Sequence, residues 1–282
     1  LHGIPQAIKE LAMTRGLRTT LGSRILQDNV PASDSLFVER MRAAGAIVIG
    51  KTNTPEFGLG SQTYNDVHGI TRNAHDPALT AGGSSGGAAV AIALDMLPVA
   101  DGSDMMGSLR NPAAFNRVVG LRPSRGRVPT WPAIDQFIAQ LGTPGPMARN
   151  ARDCALLLSV QAGYDPRDPL SLDGDGDAYA RLAFADDPAE AAEAAGRTPT
   201  ASGPRIAWLG TLDGHLAMAD GVLERCEAAL RRLEGIGCRV ESPGARVLGL
   251  SPDALWECWT TLRSVAAAPP LFAWYRDERS RA

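Results

Sequence analysis

Short apolar runs alternate with amphipathic stretches along this chain, and that alternation constrains the fold more than any other feature. A strand-like run at 4–9 and a second at 46–50, predicted to be buried, flank a helical pattern at 33–45. The order returns late in the chain, where a helical pattern at 218–237 lies between strand-like runs at 205–210 and 238–241. Strands separated by helices form sheets with helices packed on their faces. The sequence therefore predicts an α/β fold with helices on both faces of a β-sheet.

Composition and charge exclude several classes of partner. The 282 residues are 44% hydrophobic and 21% charged, with a formal net charge of −3. Neither nucleic acid nor an anionic membrane surface is an expected partner of such a chain. No apolar run approaches the roughly 20 residues that a membrane-spanning helix needs. A small-molecule substrate and no membrane contact are therefore expected.

The sequence predicts neither a metal nor any other cofactor. The cysteines lie far apart without a Cys-x-x-Cys pair, and the histidines form no His-x-x-x-His pattern. Such pairs are the usual sequence marks of zinc sites. Scattered thiols are typical of buried, reduced cysteines in a reducing compartment, so a cytoplasmic location is expected. The cysteines are Cys154, Cys226, Cys238 and Cys258.

A glycine- and serine-rich stretch, TAGGSSGGAAV at 80–90, lies directly before a helical pattern. A flexible linker would be flanked by polar sequence, and a phosphate-binding loop would have a lysine after its glycines. The stretch also contains Gly-x-Ser-x-Gly centred on Ser84, the nucleophile motif of α/β-hydrolases. That motif needs a preceding hydrophobic strand, and the segment around Pro77 makes a poor one. Ser84 as an α/β-hydrolase nucleophile, with Asp213 and His215, stays an alternative.

This stretch is one of several blocks that together resemble the amidase signature family. The blocks are GIPQAIK at 3–9, GKTNTPEFGLGS at 50–61, GGSSGG at 82–87, GSDMMGSLRNPAAF at 102–115 and GTPGPMARNARDCALLL at 142–158. Their order carries the resemblance, which covers about the first 170 residues. It implies a mixed, twisted β-sheet core covered by helices on both faces. It also implies a single domain over 1–282, incomplete at both ends. Separately, the stretch at 185–203 is rich in alanine, proline and acidic residues, which predicts a mobile surface excursion.

The resemblance implies a catalytic site as well. The family cleaves amide C–N bonds with a Ser–Ser–Lys triad, and the matching positions are Ser108 as nucleophile, Ser84 as bridging serine after a cis peptide bond, and Lys9 as base. A serine hydroxyl needs a neighbouring base to take its proton. A lysine can be that base only where burial lowers its pKa. Lys9 follows an apolar stretch at 4–8, so burial of its amine is expected.

Backbone N–H groups close to the nucleophile are expected to form an oxyanion hole, because the negative oxygen of a tetrahedral intermediate needs donors. Asp104 and Arg110 are expected to orient this loop as an ion pair. A methionine stands where the family usually has glycine, which leaves the shape of the loop open. The oxyanion-hole residues are Met105, Met106, Gly107 and Ser108.

The acyl pocket is expected to contain Asn53, Glu56 and Phe57, although a helix cap and ordinary packing explain these residues equally well. Ser85 is expected to cap the helix that follows it.

The predicted function is hydrolysis of a small amide through an acyl-enzyme, with release of ammonia or an amine. The A subunit of a tRNA-dependent amidotransferase shares the triad and stays an alternative, in which partner chains and tRNA would be expected. A homodimer is compatible with the predicted hydrolase function.

Overall fold

A computed structural model describes residues 1–133, 135, 137, 141–174, 176–187, 190, 191, 193 and 203–277. The chain divides into two compact units, Leu1–Ala195 with Pro269–Ala282, and Gly196–Ala268. Every residue predicted for the catalytic triad and the pocket belongs to the first unit. The excursion predicted at 185–203 lies largely outside the described residues. The single domain predicted over 1–282 stays a prediction.

The first unit begins with a β–α–β crossover. Strand β1 (Pro5–Lys9) pairs in parallel with β2 (Ile47–Thr52), and helix α1 (Leu36–Ala43) connects them. The prediction that β2 is buried is wrong for one of its faces, since Ile47 and Ile49 are more than half exposed. Successive side chains of a strand point to opposite faces, and these two point away from the core.

A second sheet is antiparallel, with its strands in the order β5 (Val99–Asp104), β7 (Thr143–Ala148) and β6 (Val119–Gly120). Apolar periodicity does not identify β5 or β7, because glycine, proline and polar residues interrupt both. The other regular elements described in this unit are the hairpin strands β3 (Tyr64–Asn65) and β4 (Gly69–Ile70), the helices α2 (Gly86–Ala93), α3 (Arg110–Phe115), α4 (Ala151–Gln161) and α5 (Asp177–Phe184), and the 3-10 turns Arg24–Leu26 and Glu56–Gly58.

Apolar side chains pack on both sides of the central strands. On β1, Ile8 belongs to a cluster formed with α1 and α4, whereas Ala7 belongs to a second cluster formed with α2 and α3. On β5, Val99 and Ala100 divide between the clusters in the same way. The predicted mixed α/β fold with helices on both faces is therefore confirmed, with its strands in small separate sheets.

The second unit contains another parallel crossover. Strand β8 (Arg205–Ala207) pairs with β9 (Arg239–Glu241), and helix α6 (Val222–Gly235) connects them. A 3-10 turn at Ala245–Leu248 follows, and then helix α7 (Pro252–Arg276), whose residues from Pro269 onward belong to the first unit. Among the described residues, no helix is both long enough and apolar enough to cross a membrane.

The glycine- and serine-rich stretch is a closely packed turn. Residues 81–86 are buried. A Cβ added to Gly87 would collide with the backbone of Asn53, and one added to Gly86 would collide with the Thr63 hydroxyl. The glycines therefore allow other backbone and side-chain atoms to come close, and the stretch is not a linker.

Replacement of Gly87 tests this packing against a matched glycine. Gly87→Ala should lower the free energy of unfolding by about 1–3 kcal/mol, because backbone atoms must shift to make room. In Gly50→Ala the new methyl group meets no atom within 4 Å, so its effect should stay within about 0.5 kcal/mol. Urea unfolding of both variants measures the difference. Equal effects would show that the turn is loosely packed.

Candidate active site

The amine of Lys9 lies at the centre of a cluster of serine hydroxyls. Lys9 ends strand β1, and only 1% of its surface is exposed. Its Nζ donates hydrogen bonds to Ser84 Oγ at 2.8 Å and to Ser85 Oγ at 2.7 Å. It also lies 3.0 Å from Ser103 Oγ and 3.4 Å from the Ser103 carbonyl oxygen. The structure thus brings together Lys9 and Ser84, as the sequence predicts, and adds two serines to them.

Burial changes the acidity of this amine. Burial lowers the pKa of Lys9 from 10.5 to about 7, against the opposing effects of the Asp101 and Asp104 carboxylates. A solvated lysine is protonated at neutral pH, whereas a lysine with this pKa is partly in its neutral form. The expected burial of Lys9 is therefore confirmed.

The turn before α2 orients the two adjacent serines toward Lys9. The predicted cis peptide bond between Gly83 and Ser84 is present. Ser85 stands at the N-cap position of α2, but its side chain makes no capping hydrogen bond, so the prediction that it caps the helix is wrong. Its ψ of 35° lies outside the extended region that capping residues adopt. Its hydroxyl instead accepts hydrogen bonds from Lys9 Nζ and from the Ser103 N–H, the latter at 3.4 Å.

Ser108 lies in the loop between β5 and α3 and is 9% exposed. Its carbonyl oxygen accepts a hydrogen bond from the Ser85 N–H at 3.2 Å, which joins this loop to the turn that carries Ser84. Within the described part of the chain, the Ser108 hydroxyl makes no hydrogen bond to protein. Ser108 is therefore linked to the Lys9 cluster through its backbone.

Asp104 organises the loop around Ser108. Its buried carboxylate accepts hydrogen bonds from Arg110 Nε at 3.0 Å and Nη2 at 3.1 Å, from the Gly107 N–H at 2.7 Å and from the Leu109 N–H at 3.2 Å. Burial alone would raise the pKa of Asp104, but these hydrogen bonds together hold it below its ordinary value. The expected structural ion pair of Asp104 with Arg110 is present.

These contacts bear on the predicted oxyanion hole. The N–H of Gly107 is directed to Asp104 rather than to open space beside Ser108. For the residues that the structure describes, no protein acceptor is found for the N–H groups of Met105, Met106 and Ser108. The backbone donors left for an oxyanion are therefore those three, and the Met106 side chain beside them is 47% exposed.

The side-chain amide of Asn53 is hydrogen-bonded to neighbouring residues of the protein. Its Nδ2 donates to Thr71 Oγ1 at 3.0 Å and to the Gly69 carbonyl oxygen at 3.2 Å. Its Oδ1 accepts from the Thr54 N–H at 2.9 Å and from Asn65 Nδ2 at 2.7 Å. These contacts hold the β3–β4 hairpin and support the packing explanation for Asn53.

Glu56 and Phe57 line a cleft of about 830 Å³ in the first unit. The Phe57 ring stacks on Trp274 of α7 with ring centroids 5.2 Å apart. Gln62 also lines the cleft, and its backbone packs directly against Gly83. The cleft therefore adjoins the turn that carries Ser84, although none of the three predicted triad residues lines it.

Two polar residues of β5 belong to the cluster and were not predicted as part of it. Asp101 is fully buried and accepts the Lys9 backbone N–H with both carboxylate oxygens, each at 3.2 Å. Ser103, two residues further along the strand, contacts the Lys9 amine. Alternate residues of a strand share a face, so recognition of β5 as a strand would have identified this pair.

The described residues offer no metal site, since no three His, Cys, Asp or Glu side chains among them cluster suitably. The strand–serine–helix context of an α/β-hydrolase is also missing at Ser84, because residues 73–79 and 81–85 form no strand.

Comparison with known proteins shows which proteins this chain resembles. The chain is 47% identical over 186 residues to the A subunit of the glutamyl-tRNA(Gln) amidotransferase of Ralstonia nicotianae, a match that covers 64% of this chain and 37% of the relative. It is 50% identical over 173 residues to the corresponding subunit of Thermus thermophilus, covering 61% of this chain and 36% of the relative. The chain thus spans little more than a third of the length of these curated relatives.

A solved structure extends the similarity over nearly the whole chain. A bacterial aryl acylamidase of the amidase signature family superposes with a TM-score of 0.83 and 30% sequence identity, covering 99% of this chain and 54% of that protein. The family model described as Amidase matches residues 1–262. By sequence and by fold, the chain belongs to the amidase signature family.

Proposed function

We propose that this chain carries the catalytic centre of an amide hydrolase in which Ser108 is the nucleophile, Ser84 the relay and Lys9 the base. The observation that carries the proposal is the 2.8 Å hydrogen bond between the buried Lys9 Nζ and Ser84 Oγ. A buried amine beside a serine is a base that works without histidine.

The proposed proton path runs from Ser108 through Ser84 to Lys9, and its Lys9–Ser84 step is supported by the hydrogen bond between those two side chains. The neutral Lys9 amine accepts the Ser84 proton while Ser84 accepts the proton of Ser108, whose oxygen forms a bond to the amide carbon. A hydroxyl can donate and accept at once, which suits Ser84 to this relay. When the C–N bond breaks, the same path in reverse gives the proton to the departing nitrogen. Water then releases the acyl group from Ser108.

The backbone N–H groups of Met105, Met106 and Ser108 would stabilise the negative oxygen that forms during this attack. Asp104 supports the arrangement, because its hydrogen bonds to Gly107, Leu109 and Arg110 fix the loop on either side of Ser108. The cleft lined by Glu56 and Phe57 adjoins the Ser84 turn and is the place where we propose that a small amide binds.

A second candidate function is that of an amidotransferase A subunit, which would pass ammonia to a partner chain. It is favoured by identities of 47% and 50% to such subunits, higher than the 30% identity to the aryl acylamidase. The aryl acylamidase favours simple hydrolysis, because its structure superposes on 99% of this chain. Partner subunits and tRNA belong to the second candidate alone.

The acidity of Lys9 predicts a dependence of stability on pH. The folded protein releases the Lys9 proton near pH 7, whereas the unfolded chain retains it up to its ordinary pKa of 10.5. Between these values the unfolded chain binds more protons, so folding becomes more favourable as pH rises. Lys9→Met should remove about 2 kcal/mol of the stability gained between pH 7 and pH 9. Urea unfolding at both pH values measures this loss.

The other lysine of the chain is the control. Burial lowers the pKa of Lys51 to about 8, so Lys51→Met should remove a smaller gain of about 1 kcal/mol over the same interval. If Lys9→Met leaves the pH dependence of unfolding as it is in the unmodified protein, the Lys9 amine is not held in its neutral form.

Covalent labelling identifies the nucleophile. A fluorophosphonate probe should modify Ser108 covalently, and peptide mapping identifies the modified residue. Ser108→Ala should abolish labelling, whereas Ser84→Ala should slow it by at least about 100-fold, since general-base catalysis contributes that much. Ser124→Ala, at a serine outside this cluster, should label at the normal rate. Label on Ser84 with none on Ser108 would instead support α/β-hydrolase chemistry.

Glutamine and aryl amides distinguish the two candidate functions. Simple hydrolysis predicts release of amine from an aryl amide by the isolated protein, with Ser108→Ala inactive. The amidotransferase function predicts that ammonia is released from glutamine only when partner subunits and charged tRNA are added. Hydrolysis of aryl amides that is unaffected by partner subunits would support simple hydrolysis and contradict the amidotransferase function.

A further inference from the structure

We propose that Asp101 is a positioning residue, whose carboxylate fixes Lys9 beneath Ser84 and whose negative charge sustains the basicity of the Lys9 amine. This inference rests on the proposed function of Lys9 and assigns a role to a residue outside the Ser–Ser–Lys triad. It follows from the way in which β5 contacts β1.

Strands β1 and β5 lie side by side but belong to different sheets, and side chains join them. Gln6 Nε2 donates to the Val99 carbonyl oxygen at 3.2 Å. The Lys9 backbone N–H donates to both carboxylate oxygens of Asp101 at 3.2 Å. Asp101 therefore supplies the acceptor that the backbone of a paired strand would otherwise supply, at the residue that carries the amine.

The same strand also contacts the other end of Lys9. Ser103 lies on the same face of β5 as Asp101, and its Oγ is 3.0 Å from Lys9 Nζ. One strand thus holds the backbone of Lys9 through Asp101 and the amine through Ser103. A displacement of the Asp101 contact would move the amine relative to Ser84.

Charge supplies the second part of the argument. Two carboxylates act on the Lys9 amine, those of Asp101 and Asp104 on β5. Lys51 of β2 acts in turn on Asp101, and Glu10, the residue after Lys9, acts on Lys51. Asp101 is fully buried, and burial raises its pKa to about 6. The hydrogen bond from the Lys9 N–H and the positive charges of Lys51 and Lys9 oppose this rise. At a pH above its pKa, Asp101 is negatively charged and favours the protonated form of Lys9.

This effect matters because burial acts on Lys9 in the opposite direction. Without a nearby negative charge, burial would lower the pKa of Lys9 further, and a weaker base takes a proton from serine less readily. General bases work best when their pKa lies close to the operating pH. Asp101 therefore keeps Lys9 a strong enough base while leaving it partly neutral at pH 7.

Asp101→Asn tests the charge, because the asparagine oxygen can still accept the Lys9 N–H. The chain has two lysines, Lys9 and Lys51, so protein labelled with ¹³C at lysine Cε gives two signals, which Lys51→Arg assigns. The titration midpoint of Lys9 should fall by roughly 1 pH unit in Asp101→Asn. The low-pH limb of the rate of Ser108 labelling should move down with it. Asp101→Glu, which keeps the charge, should leave the midpoint near its normal value and slow the labelling.

Asp168→Asn is the matched control. Asp168 is also fully buried and accepts backbone N–H groups, from Thr130 at 2.8 Å and Leu170 at 3.0 Å, but it lies outside the Lys9 cluster. Its replacement should move neither midpoint. If Asp101→Asn does not fold, a comparison of Asp101→Gln with Asp101→Glu carries the same test, since these two side chains have nearly the same shape and differ in charge. Failure of Asp101→Asn and of Asp101→Gln to fold, with Asp168→Asn folded, would overturn the proposal by assigning Asp101 to the fold alone.

The outcomes separate this inference from the proposed function. If Ser108 of the unmodified protein is never labelled, the proposed function fails. If Ser108 is labelled and the rate follows the titration of Lys9, but Asp101→Asn moves neither midpoint, the proposed function stands and the role of Asp101 is overturned.

Discussion

The hydrogen bonds of the buried Lys9 amine are the interaction on which the rest of this site depends. An amine removed from water must find acceptors or lose its proton. Lys9 does both to some degree, because hydroxyls from two different segments surround it while burial brings its pKa to about 7. Those contacts require β1, the turn before α2 and strand β5 to meet at one point. The small sheets and the helices packed around them supply that meeting point.

The close packing of the glycine-rich turn has a chemical consequence. Any side chain at Gly86 or Gly87 would collide with Thr63 or Asn53, so the turn can lie against these neighbours only with glycine at both positions. Asn53 in turn is held by the β3–β4 hairpin through its amide. Ser84 and Ser85 are therefore carried by a turn that packs closely against its neighbours.

The loop that carries Ser108 is organised by different forces. Asp104 collects two backbone N–H groups and the Arg110 guanidinium around one buried carboxylate. Because the Gly107 N–H is used in this way, the donors near Ser108 are fewer than the resemblance to the family alone implies. The relatives of the chain include both amidotransferase A subunits and an aryl acylamidase.

The sequence by itself predicted the fold class, because strand and helix periodicity are local. Its resemblance to the family pointed to Lys9 and Ser84, which the structure brings together. The sequence did not determine the contacts made by Ser85, Ser103 and Asp101. Ser85 is a residue type that commonly caps helices, and Gly102 and two acidic residues interrupt the apolar pattern of β5. The local sequence of either segment therefore does not predict these contacts. Only the tertiary structure decided these roles, because they arise where segments about 75 to 94 residues apart in the chain meet around one buried amine.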